Sequence, residues 1–157
     1  MMRILIADDS KIYRTYMIDL LSRVEGIEIV GQAEDSPSAV EAIERLKPDV
    51  AILDIRMPGG DGILALETIK RNKVNPKTIM FTNYPYPQYR NKCMDAGADY
   101  FFDKSTEFEK LVETLKELAQ EVSHTKTVET GFKIASQKFV PNKQNERTRH
   151  LKQTKQP

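Results

Sequence analysis

Three aspartates, a threonine and a lysine each close a short apolar run in this chain. Asp8 and Asp9 follow Ile4-Leu5-Ile6-Ala7, and Asp54 follows Val50-Ala51-Ile52-Leu53. Thr82 ends Lys77-Thr78-Ile79-Met80-Phe81, and Lys104 ends Tyr100-Phe101-Phe102-Asp103. Runs this short and rich in Ile and Val read as buried parallel strands. In an open parallel sheet, ligands bind at the carboxyl ends of the strands. Three carboxylates gathered there repel one another unless a cation or a proton neutralises them. Hard oxygen donors favour Mg²⁺, which takes one or two protein carboxylates and keeps several waters. A spare carboxylate beside such an ion is a nucleophile toward a phosphoryl group. A hydroxyl donor and a fixed cation suit the charge spread over that group's equatorial oxygens.

The intervening sequence supplies the elements that position these groups. Ser10 is placed to cap a helix through about Arg23, with Ile12, Tyr16, Leu20 and Val24 at spacing four on one face. Residues 27–33 read as a second strand. Ser36-Pro37 offers a cap and a first-turn proline to a helix carrying Ala39, Val40, Ala42, Ile43 and Leu46, which Pro48 ends. Asp61 caps a helix with Ile63, Leu66 and Ile69. Pro87 opens a shorter, polar helix that Gly97 stops. Apolar residues at 108, 111, 112, 115, 118, 119 and 122 mark an amphipathic helix from Glu107 to Val122. Strict alternation of strand and helix implies an α/β fold, with right-handed crossovers and helices on both faces of a parallel sheet.

Composition narrows the class further. The 157 residues allow one domain plus an extension. No apolar stretch approaches the roughly 18 residues that span a bilayer, and no signal-type apolar run follows Met1-Met2-Arg3. Cys93 is the single cysteine, so no internal disulfide is available. It reads as a small, partly buried helix residue. These features fit a reducing cytoplasm and give no membrane partner. The net charge of +1 hides an asymmetry. Residues 1–123 hold 16 Lys and Arg against 21 Asp and Glu, a net of −5, whereas residues 124–157 hold 8 against 2, a net of +6. The apolar pattern ends at Ser123, and 124–157 reads as a basic, mostly disordered tail. Within it, residues 131–140 retain enough apolar character to dock on a partner. His124 and His150 read as tail residues.

The acidic pair, lone Asp, Thr and Lys, in this order on alternating elements, resemble the receiver domain of bacterial two-component response regulators. Leu53-Asp54-Ile55-Arg56-Met57-Pro58-Gly59-Gly60-Asp61-Gly62 is similar to that family's phosphoacceptor loop. The stretch from Ala96 through Lys104 to Ser105 is similar to its last strand and Lys loop. The resemblance covers roughly residues 1–122. It implies a flavodoxin-like five-stranded parallel sheet of order 2-1-3-4-5, which brings Asp8, Asp9 and Asp54 together. It also implies that Asp54 accepts a phosphoryl group from a sensor histidine kinase or phosphotransfer protein. Asp8, Asp9, Asp54 and the Arg56 carbonyl would hold Mg²⁺, and Thr82 and Lys104 would bind phosphoryl oxygens. Thr82 and Phe101 would form the switch, with output to a downstream protein through the fourth helix, fifth strand and fifth helix. Tyr84-Pro85-Tyr86-Pro87 would lie beside that surface. Such a protein is no turnover enzyme; it catalyses only its own phosphotransfer and autodephosphorylation.

Three departures from the usual receiver pattern stand out. Ser105 follows Lys104 where Pro is frequent, and without Pro a cis bond would cost about 2.5–4 kcal/mol. Asn83 follows Thr82 where a small residue is common, which narrows access for small donors. No output domain is recognised after the receiver, giving the expectation of a single-domain regulator. The alternative is a nucleic-acid-binding regulator acting through Lys126, Lys133, Lys138, Lys143, Arg147, Arg149, Lys152 and Lys155. Their wide spacing looks more like a solvated tail than a recognition element. A haloacid-dehalogenase-type phosphatase also uses an aspartyl phosphate, but it places an acid two residues after the nucleophile of its first strand. Here Ser10 stands two after Asp8.

Overall fold

The computed structural model describes residues 1–137. Five strands, β1 (Met2–Ala7), β2 (Ile27–Ala33), β3 (Val50–Leu53), β4 (Lys77–Thr82) and β5 (Tyr100–Asp103), form one parallel sheet in the order β2-β1-β3-β4-β5. The helices are α1 (Lys11–Leu21), α2 (Ser36–Leu46), α3 (Gly62–Arg71), α4 (Pro87–Asp95) and α5 (Phe108–Gln137). This is the flavodoxin-like order. It seats β1 beside β3, pairing Ala7 with Leu53 at their carboxyl ends.

Side chains alternate across the strands, so each face of the sheet receives its own core. Leu5, Ala7, Ala51, Leu53 and Met80 pack under α2, α3 and α4 against Ile43, Leu66, Ile69 and Cys93. Ile4, Ile6, Val50, Ile52, Ile79 and Phe81 pack on the other face against Met17 and Leu21 of α1 and Leu111, Leu115 and Leu118 of α5. Both cores are shut off from water, Leu5, Ile6, Leu53 and Leu66 completely.

Several details differ from the sequence expectation. On α1 the Ile12–Tyr16 stripe points outward, with Ile12 85% exposed, and Met17 and Leu21 carry the contact with the sheet. Two adjacent stripes fit the helical period there, and spacing alone cannot choose between them. Asp35, not Ser36, caps α2, accepting the Ser38 amide at 2.8 Å. Cys93 is fully buried. Residues Met1–Ser123 form one compact unit. α5 continues as helix past Ser123 to Gln137. Apolar periodicity reports burial, so it gives no signal for a helical turn such as that of Val128, which is 70% exposed. Lys138, Lys143, Arg147, Arg149, His150, Lys152 and Lys155 lie outside the described residues, as does the end of the 131–140 segment.

Candidate functional site

The strand ends deliver the pocket. Asp8 lies one residue past β1 and accepts the Ser10 amide on Oδ1 at 2.9 Å. Ser10 then caps α1 through the Tyr13 amide at 3.2 Å, so capping and pocket are divided between neighbours. Asp54 lies one residue past β3, where its amide donates to the Ala7 carbonyl at 2.9 Å and its Oδ1 accepts the Ile55 amide at 2.7 Å. Asp8 and Asp54 are buried and Asp9 is exposed, yet carboxylate oxygens of all three lie within 4.8 Å of one another. Thr82, fully buried at the end of β4, accepts the Tyr84 amide on Oγ1 at 3.2 Å.

Lys104 closes the cluster. Its amide donates to the Thr82 carbonyl at 2.9 Å. Its ammonium donates to Asp8 Oδ2 and, at 2.8 Å, to Asp54 Oδ2. The Lys104 side chain is only 6% exposed, and its Nζ also lies 4.4 Å from the centre of the Tyr13 ring. Burial pulls the Lys104 ammonium down, but Asp54 and Asp8 together outweigh it and hold the group above its ordinary value. Burial pushes the Asp54 carboxyl up, with Asp8 adding to the rise and Lys104 and Thr82 opposing it. By charge count, the one Lys104 ammonium faces two buried carboxylates, Asp8 and Asp54, with Asp9 beside them. Their hard oxygen donors and residual negative charge fit a small divalent cation such as Mg²⁺. Asp8, Asp9 and Asp54 are the residues that could hold it.

The other expected positions are distributed around this centre. The Arg56 side chain is exposed and stacks on Tyr84, with its guanidinium carbon 3.9 Å from the ring centre. Phe101 is buried in the α2–α3–α4 core, and the Arg90 guanidinium covers its ring at 4.6 Å. Asn83 is exposed. Among the described residues no peptide bond is cis, so Lys104–Ser105 is trans.

Sequence reasoning missed Arg14. It is a buried cation on α1 that donates to the Asp8 carbonyl and, at 3.1 Å, to Gln32 Oε1, with Glu34 at 3.8 Å. Its signal was its position in the helix: a charge three residues before Met17 and seven before Leu21 lies on the buried stripe. Gly62 is a second such residue. A Cβ there would lie 1.9 Å from the Asp54 carbonyl oxygen, so the start of α3 can approach the Asp54 loop only with glycine.

Fold and site together define a doubly wound α/β protein of the flavodoxin-like type, with an acidic, lysine-bridged pocket at the carboxyl ends of β1 and β3. The family model of the response regulator receiver domain matches residues 4–116, and the chain belongs to that family. It is 32% identical over 153 residues to the transcriptional regulatory protein PdtaR of Mycobacterium tuberculosis, covering 98% of this chain and 74% of that one. It is 29% identical over 118 residues to the response regulator GacA of Pseudomonas aeruginosa, covering 75% of this chain and 55% of GacA. The crystal structure of a LuxR-family DNA-binding response regulator from Staphylococcus aureus superposes with a TM-score of 0.71 at 31% identity, covering 76% of this chain and 99% of that one. The chain thus spans about half the length of GacA and three quarters of PdtaR. Among the described residues, no helix is long and apolar enough to cross a membrane.

Proposed function

We propose that this receiver accepts a phosphoryl group on Asp54 from a histidine kinase or phosphotransfer protein and signals by phosphorylation-dependent partner binding. The observation that carries the reading is the Lys104 ammonium shared between Asp8 and Asp54 within the three-carboxylate cluster. A carboxylate paired with a buried cation, with a hydroxyl nearby, is a nucleophile prepared for phosphorus.

In the transfer, an Asp54 oxygen attacks phosphorus and the phosphorus–nitrogen bond of the donor phosphohistidine breaks. The electron pair of that bond returns to the imidazole. Lys104 moves its pairing from Asp54 to a phosphoryl oxygen, and the Thr82 hydroxyl donates to another. These fixed groups act by position and charge, which is most of what phosphoryl transfer requires. Mg²⁺, held by Asp8, Asp9 and Asp54 with the Arg56 carbonyl, would neutralise charge on the phosphoryl oxygens. When Thr82 turns toward the phosphoryl group, Phe101 repacks beneath Arg90. This changes the surface of α4, β5 and the first turns of α5, where the downstream protein binds. Residues 1–123 are the receiver unit in this reading.

The test is phosphoryl uptake from acetyl phosphate or a phosphorylated kinase. Asp54→Asn should abolish label, and Asp9→Ala should remove the Mg²⁺ dependence with most of the rate. Persistent labelling of Asp54→Asn overturns the assignment.

A second reading is favoured by one observation. The alignment with a protein named as a transcriptional regulator covers 98% of this chain, including the tail that carries a net +6. In that reading the tail touches nucleic acid. Salt-dependent binding that disappears when residues after Ser123 are removed would support it.

A further inference from the structure

The Lys loop is held by its own side chains. Asp103 Oδ1 accepts the Ser105 amide at 2.9 Å and the Ser105 hydroxyl at 2.6 Å, and Oδ2 accepts the Thr106 hydroxyl at 3.2 Å. Glu107 closes the ring from the other side. Its Oε2 accepts the Asp103 amide at 2.9 Å, and its own amide donates to the Asp103 carbonyl at 2.8 Å. Lys110 pairs with Glu107 Oε1 at 3.0 Å and steadies it. With the Thr106 amide donating to the Asp103 carbonyl at 3.4 Å, six hydrogen bonds therefore span residues 103–107, all centred on the residue before Lys104. Ser105 stands where the family often has proline, and a serine fixes no backbone angle by itself. An aspartate binding its own backbone two residues on supplies that turn instead. The Asp103 carboxyl lies below its ordinary range because of the Ser105 hydrogen bonds, and Glu107 lies low chiefly through the Asp103 amide. Both acceptors are therefore ionised at neutral pH.

We propose that Asp103, braced by Glu107, is the positioning residue for Lys104: it fixes the trans Lys104–Ser105 turn that aims the ammonium between Asp8 and Asp54. The Lys104 side chain can be buried only while its backbone enters the pocket at this angle. A misplacement of about 1 Å in such a group costs up to about a hundredfold in rate. The rate arm of the test rests on the proposed role of Lys104, while the labelling arm does not.

Folded wild type, Asp103→Ala, Asp103→Asn and Glu107→Ala are treated with formaldehyde and cyanoborohydride. Methylation of Lys104 is quantified by peptide mass spectrometry against Lys77, whose side chain is 55% exposed. Phosphoryl uptake from acetyl phosphate is followed in parallel. Wild-type Lys104 should react at least about tenfold more slowly than Lys77, as local opening limits access. Asp103→Ala should erase most of that protection and slow uptake about tenfold. Asp103→Asn should keep both within about threefold, because the amide oxygen accepts the same Ser105 N–H. Glu107→Ala should shift both in the same direction as Asp103→Ala, by less. Retained Lys104 protection in Asp103→Ala with unchanged circular dichroism overturns the proposal, as does an Asp103→Asn variant that behaves like the alanine. If Asp103→Ala does not fold, unchanged protection in Glu107→Ala refutes the brace. A wild type that takes no phosphoryl group defeats the functional reading alone, since methylation still decides the turn.

Discussion

Breaking the stack between Arg56 and Tyr84 should shorten the life of the phosphorylated protein. Arg56 lies two residues after Asp54 and Tyr84 two after Thr82, so the pair bridges the loops that leave β3 and β4. The guanidinium sits 3.9 Å from the ring centre, and the Tyr84 amide is anchored on Thr82 Oγ1 at 3.2 Å. We expect this pair to flank the route of water attacking an aspartyl phosphate on Asp54 in line, and neither side chain offers a carboxylate or amide to orient it. A cation–π contact at an exposed site contributes about 0.5–1 kcal/mol. If opening the bridge precedes hydrolysis, its loss accelerates decay by about two- to fivefold. The assay is loss of label after the donor is removed, in wild type, Arg56→Asn and Tyr84→Ala. Arg56→Lys should fall between, because an ammonium keeps the charge but loses the planar stack. Decay no faster than wild type in both Arg56→Asn and Tyr84→Ala would refute the reasoning.

Three further outcomes follow from the geometry. Gly62→Ala forces a Cβ to within 1.9 Å of the Asp54 carbonyl oxygen, and should cost about 3 kcal/mol, the upper end for overpacking, as a lower urea midpoint. Arg14→Met leaves the Asp8 carbonyl and Gln32 Oε1 without their donor, and should destabilise by about 1–3 kcal/mol in the same assay. Asp54 is held above its ordinary value of 3.8, chiefly by burial, so its contribution to stability is full below that value and lost as pH rises through the folded value. Asp54→Asn should therefore be more stable than wild type at pH 7 in Mg²⁺-free buffer, with the gap closing on acidification. Equal urea midpoints at pH 7 would show that Lys104 already compensates the charge.

The legible part of this chain was what burial and the strand ends impose. Short Ile- and Val-rich runs marked β1, β3 and β4, and the residue after each run named Asp8, Asp54 and, in β4, Thr82. The strand order came through resemblance, since periodicity does not distinguish one order of parallel strands from another. Arg14 was overlooked despite its place on the stripe of Met17 and Leu21, because a polar residue on an apolar stripe normally argues against burial. Here the Asp8 carbonyl and Gln32 satisfy it. The face of α1 was misread because Ile12 and Tyr16 are apolar yet exposed. The Asp103 turn was hidden for another reason: its hydrogen bonds are local, and a D-K-S-T-E string carries no periodic signal.

The central claim is that Asp54 carries the phosphoryl group, and chemical trapping of the acyl phosphate tests it most directly. Borohydride reduces an aspartyl phosphate to homoserine and leaves a free carboxylate untouched. After reaction with acetyl phosphate and Mg²⁺, peptide mass spectrometry should find homoserine at position 54, and none in Asp54→Asn. Homoserine at position 8 or 9 with Asp54 intact would contradict the account.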